Sequence, residues 1–155
     1  MLTGKKRGMN STSNYMITID QQKFVKDANG YLGKVRSNFL GTEFAIFDAK
    51  ENPKKATSKE EYRQSLGVVQ YETNVLGSKG PRRMKVLLPM VSRDGEEIYW
   101  PDTENENETI QGKFAANETE DIMFFFNKPP KWNEQVQAFV LNFNGRVDKA
   151  SVKNF

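Results

Sequence analysis

YLGKVRSNFLGTEFAIFD, Tyr31 to Asp48, reads as two β-strands joined by a short turn. Tyr, Val, Phe and Ile recur at strand spacing in both halves, and Asn38 and Gly41 supply turn chemistry between them. Side chains on a strand alternate between faces, so Tyr31, Val35 and Ser37 are expected on one side and Leu32, Lys34, Arg36 and Asn38 on the other. Two cations then share one face.

The same grammar continues outward. NYMITID, LGVVQYET, RMKVLLPMV, EEIYW, ETIQGKF, EDIMFFF and VQAFVLNF are short segments rich in β-branched and aromatic residues, punctuated by Gly, Asn, Pro and Asp. This predicts an all-β, antiparallel, barrel-like fold in a single domain over residues 1–155. RMKVLLPM repeats the arrangement of the opening stretch, with Arg83 and Lys85 opposite Met84, Val86, Leu88 and Met90. Ser58 with Glu61 three residues on forms a capping box, which predicts one short helix through SKEEYRQ before Gly67 breaks it. ENPKKATSKE and PDTENENE are the expected long loops, and the glycines of NVLGSKGPRR are expected to make turns.

A chain of 155 residues suits one domain, and folding at that length buries roughly 70% of the unfolded surface. Eleven Phe are too many for a disordered chain. The sequence has no Cys and no His, which removes disulfides, thiol nucleophiles, zinc sites of the usual ligand types and His-based triads. No apolar run approaches the roughly 20 residues of a membrane span, and MLTGKKRG has no signal-peptide core, so a cytosolic chain is expected.

Charge is unevenly distributed. Residues 1–40 carry seven cations against two carboxylates, whereas Asp94 to Asp121 carries ten carboxylates against one lysine. The first region suits an anion, and the acidic run from Asp102 to Glu108 is expected to face away from it.

Four stretches stand in a telling order and spacing. They are SNY at Ser13–Tyr15, YLGKVRSNFLGTEFAIFD, YETNVLGSKGPRRM at Tyr71–Met84, and PPKWNEQVQAFVLNFNGRVDKASVKNF at Pro129–Phe155. Together they resemble the C-terminal domain of the tubby-like protein family over essentially the whole chain. The resemblance implies a β-barrel wrapped around one hydrophobic helix, with no enzymatic activity and no cofactor. It implies binding of phosphatidylinositol 4,5-bisphosphate, tethering at the plasma membrane, and an adaptor role toward protein cargo whose identity this sequence does not carry. Cytoplasm, membrane periphery, nucleus and cilium are the implied compartments.

The family's Gly-Lys-x-Arg strand falls on Lys34 and Arg36, the Asn of its Ser-Asn-Tyr segment on Asn14, and a further headgroup Arg on Arg63. The chemistry suits those roles. Each Lys or Arg reaching a ring phosphate makes a charge-assisted hydrogen bond about twice as strong as a neutral one. Arg36 can grip two oxygens as a fork, Lys34 acts as a point charge, and Asn14 can donate its amide. Lys5, Lys6, Arg7, Arg82 and Arg83 would add attraction to an anionic leaflet. Nucleic-acid binding is the rival function, compatible with KKR and the basic strands. Beyond Phe155 the family continues through further strands into the central helix, so this chain is expected to form an incomplete, aggregation-prone barrel with Val35, Phe44, Ile46 and Leu141 partly uncovered.

Overall fold

The computed structural model describes residues 1–26, 28–72, 83–96 and 98–149. Seven strands follow one another as an antiparallel meander: β1 (Thr3–Lys6), β2 (Asn14–Thr18), β3 (Tyr31–Ser37), β4 (Glu43–Asp48), β5 (Ser65–Tyr71), β6 (Met84–Pro89) and β7 (Ile122–Phe126). A separate hairpin joins β8 (Lys131–Asn133) to β9 (Ala138–Val140). The sheet does not close on itself: β1 and β7 are its two edges. β1 carries Lys5 and Lys6, whereas β7 presents three consecutive exposed phenylalanines, Phe124 to Phe126.

Cross-strand register sorts the side chains onto two unequal faces. Met16, Phe47, Val68, Leu87 and Ile122 lie on one of them, and all are buried. A short helix, α1 (Ile110–Ala115), lies across β5 and β6, and there Ile110 joins Val68, Leu87 and Ile122 in the core, with Trp100 and Phe114 packed around them. The other face carries Val35, Phe44, Ile46, Val69, Val86 and Leu88, none of them fully buried. The sheet is thus open, and Val35, Phe44, Ile46 and Leu141 are partly uncovered as expected.

The helix forms elsewhere than the capping box suggested. SKEEYRQ makes only a 3-10 turn at Lys59–Glu61, and Ser58 supplies no side-chain cap. The Glu61 carboxylate instead accepts from the Thr57 N–H at 2.9 Å and the Thr57 hydroxyl at 3.0 Å. ETIQGKF, read as a strand, is α1: the Thr109 hydroxyl accepts from the Gly112 N–H at 3.1 Å, and Ile110 and Phe114, four residues apart, face the sheet together. The described residues of EEIYW form no strand either; its end docks on the start of β5, where the Ser65 N–H donates to Trp100 O at 2.8 Å and Gln64 bridges Pro101. VQAFVLNF shrinks to the three residues of β9. The turn expected in NVLGSKGPRR, together with Arg82, falls outside the described residues apart from Arg83.

Simple alternation also fails at Tyr31. Ile17 pairs with Gly33 but Thr18 pairs with Tyr31, so Leu32 is an extra residue in β3 and Tyr31 shifts to the face of Thr18 and Lys34. Gly33 holds the neighbouring contact. Its φ is +154°, and a Cβ there would stand 2.1 Å from Phe47 O.

Candidate cation cluster on the face of strands 2 to 4

Lys34 and Arg36 point to the same side of β3 as the buried core, toward the β1 end of the sheet. Their cross-strand partners are Met16 and Asn14 on β2, and Phe47 and Ala45 on β4. Asn14 therefore sits directly opposite Arg36. It is 8% exposed, and its Oδ1 has no hydrogen-bond partner.

Arg63 reaches the same face from the loop preceding β5. Its guanidinium lies 4.0 Å above the centre of the Phe47 ring, and Phe47 is the cross-strand neighbour of Lys34. Nε and Nη2 each donate to Asp102 Oδ2 at 2.7 Å. The residue is 6% exposed, and Nη1 is buried without a partner. Backbone bonds lock this corner: the Arg63 N–H donates to Glu51 O at 2.7 Å and the Asp102 N–H to Arg63 O at 2.8 Å. The four residues expected from the sequence, Asn14, Lys34, Arg36 and Arg63, are thus gathered on one face.

The electrostatics record the crowding. Lys34 is lowered to about 8, first by burial and then by the cations of Arg63, Lys26 and Arg36, against an opposing pull from Glu51. A lysine whose folded pKa is depressed binds fewer protons folded than unfolded, so Lys34's contribution to stability rises with pH between about 8 and the ordinary lysine value. Burial pushes the Tyr31 phenol up, although Arg63 and Arg7 pull it down. Lys26 pairs with Glu51, whose carboxyl is held below the usual range mainly by that bond and by the Asn52 N–H.

Sequence reasoning missed Tyr31, Phe47, Lys26, Glu51 and, above all, Asp102. The run from Asp102 to Glu108 was expected to face away from the cations; Asp102 instead holds Arg63, because a buried guanidinium needs a counter-charge and the long β6–β7 connection supplies it. The second basic pair stays apart. Arg83, just before β6, and Lys85 on β6 both lie near Glu72, at 3.8 and 3.9 Å, and Lys85 stands over Phe126 rather than at the cluster.

The sequence matches the Tub family profile over residues 1–155. The chain belongs to the Tub family. It is similar to tubby protein homolog 1 of Caenorhabditis elegans, 40% identical over 167 residues that cover all of this chain and 37% of that protein. Tubby-related protein 3 of Mus musculus is 42% identical over 158 residues, covering the whole chain and 34% of its own length. Protein king tubby of Drosophila virilis is 39% identical over 155 residues, again the whole chain and 33% of that protein. The chain thus spans about a third of the length of these Tub relatives.

Proposed function

We propose that this Tub-family chain is a binding module for bisphosphorylated phosphoinositide headgroups, phosphatidylinositol 4,5-bisphosphate in particular, and serves as a membrane-tethering adaptor rather than an enzyme. One observation carries the reading: beside two partly exposed cations on β3, two buried polar atoms of opposite character lack partners, Arg63 Nη1 as donor and Asn14 Oδ1 as acceptor. Buried polar groups in folded proteins are nearly always paired, so both call for a ligand or water. An inositol phosphate offers each its complement, a phosphate oxygen for Nη1 and a ring hydroxyl for Oδ1. Lys34 and the fork of Arg36 would hold the remaining phosphate charge.

Lys34→Ala with Arg36→Ala tests this by liposome flotation. Both side chains lie outside the packed core, so the double variant is expected to stay folded while losing binding to vesicles containing the bisphosphorylated lipid. Retained binding by a folded double variant would overturn the assignment. Duplex DNA serves as the competing ligand: binding that exceeds lipid binding at physiological salt and collapses steeply as salt rises would favour a nucleic-acid role instead.

The lowered Lys34 predicts a pH dependence. Raising pH from 7 to 9 takes the free protein through the Lys34 pKa of about 8, so headgroup affinity should fall by roughly tenfold as the ammonium is lost before binding. Lys34→Arg should flatten that decline, measured by titration calorimetry in matched buffers. A parent profile that stays flat to pH 9 would remove Lys34 from the set of phosphate contacts.

A further inference from the structure

Two turns stand at the end of the sheet nearest Asn14 and Arg36. One joins β1 to β2 and carries Met9 at its tip; the other joins β3 to β4 and carries Phe39 and Leu40. They lie side by side, because the Ser13 N–H donates to Ser37 Oγ and the Ser37 N–H to Ser13 O, both at 2.9 Å. Phe39 is 79% exposed, Leu40 76%, and Met9 is fully exposed. Single exposed apolar residues are ordinary on a protein surface. Three large ones projecting from two linked turns are not explained that way.

The β3–β4 turn is built to keep its apolar pair outward. The Asn38 N–H donates to Glu43 O at 3.0 Å, the Gly41 N–H donates to Asn38 O at 3.2 Å, and Gly41 takes a φ of +68° that a glycine accepts without strain. Asn38 Oδ1 then accepts from the Thr42 N–H at 2.9 Å and the Glu43 N–H at 3.2 Å. Phe39 and Leu40 occupy the two central positions of this closed loop, and both stand largely exposed.

Charge on the two hairpins is mostly positive, and Glu43, the carboxylate that closes the second turn, is taken up by the Gln70 and Gln111 amides. Residues 1–18 and 31–42, which make up both hairpins as far as the second turn, contain Lys5, Lys6, Arg7, Lys34 and Arg36 and not one Asp or Glu. Apolar tips backed by cations on β1 and β3 match a bilayer with anionic lipids, in which apolar side chains enter the acyl boundary and cations stay at the phosphates. The spacing fits as well. Arg36 lies three residues behind Phe39, on the order of 10 Å of extended chain, and Lys34 about 7 Å further. A tip sunk to the acyl boundary would leave Arg36 and Asn14 just above a headgroup layer of roughly 5–7 Å, and Lys34 and Arg63 where a protruding headgroup carries its outer phosphates.

The geometry points to the Phe39–Leu40 tip, with Met9 on the linked turn, as a membrane-inserting wedge that fixes the orientation of the headgroup site above the leaflet. This rests on the headgroup reading given above and adds a second, apolar contact to it. The test compares parent protein with Phe39→Ser/Leu40→Ser in two assays. One uses soluble inositol 1,4,5-trisphosphate; the other uses phosphatidylcholine vesicles containing a few per cent of phosphatidylinositol 4,5-bisphosphate. Expected is unchanged affinity for the soluble headgroup and a loss of vesicle affinity on the order of tenfold to a hundredfold. Phe39→Trp supplies a readout independent of folding losses: its fluorescence should be quenched by brominated acyl chains well beyond the quenching of native Trp100 and Trp132 in the parent.

Equal vesicle binding by parent and double variant, or no added quenching in Phe39→Trp, would overturn the wedge. Vesicle binding with added quenching, but without affinity for the soluble headgroup, would leave the wedge standing and remove the headgroup reading. A parent that binds neither ligand would sink both.

Discussion

Asp102→Ala is expected to destabilise the protein by about 3–5 kcal/mol, because it leaves the Arg63 guanidinium buried and unpaired. The side chains of Arg63 and Asp102 are only 7% and 14% exposed, so water cannot take the carboxylate's place without opening the corner. Arg63 Nη1 already lacks a partner, and the substitution would leave Nε and Nη2 without theirs. Stacking on Phe47 retains part of the contact but does not solvate the charge. Urea denaturation is the direct check, with the shift read in the midpoint at constant slope. Replacing both partners by apolar residues, Arg63→Met with Asp102→Leu, should recover most of the stability, since a packed apolar pair commonly equals a buried ion pair. That double variant should still fail to bind the headgroup, which separates the structural duty of Asp102 from the proposed ligand duty of Arg63.

Gly33→Ala is expected to be nearly as severe, and to damage the site through register. The backbone at φ +154° costs an alanine about 1–3 kcal/mol by itself, and the added Cβ would stand 2.1 Å from Phe47 O, closer than any real contact. The obstacle is backbone, so β3 and β4 must separate or slip. Lys34 follows Gly33 directly and pairs with Phe47, so movement at this point carries the Lys34 ammonium away from Arg63. Lower thermal stability together with loss of headgroup binding is the expected outcome. A variant that kept both would mean that β3 and β4 part here without cost.

How far the sequence carries the fold depends on whether local pattern or distant contact decides each element. β2 to β7 are all anticipated, because alternation and β-branched content act within five to seven residues. α1 is not, since Thr, Ile and Phe in ETIQGKF suit a strand, and only the Thr109 cap and the burial of Ile110 on the sheet turn it helical. The capping box at Ser58 fails for the mirror reason: no buried residue lies in its turn, so nothing tertiary extends it.

The site divides in the same way. Lys34 and Arg36 are legible as a same-face pair, and their resemblance to a family motif brings in Asn14 and Arg63. Asp102 is illegible, because its partner lies 39 residues away and its own neighbourhood is acidic, which reads as solvated loop. Tyr31 is hidden by the extra residue at Leu32, which no alternation rule anticipates. Phe39 and Leu40 interrupt a polar turn in plain view, yet their meaning depends on the Ser13–Ser37 link that joins their turn to the one carrying Met9.

Titration of the protein with inositol 1,4,5-trisphosphate at pH 7, followed by calorimetry, measures the central claim most directly. The account predicts saturable one-to-one binding by the parent and no measurable binding by a folded Lys34→Ala/Arg36→Ala variant. Equal binding by the two proteins, or no binding by the parent at all, would contradict it.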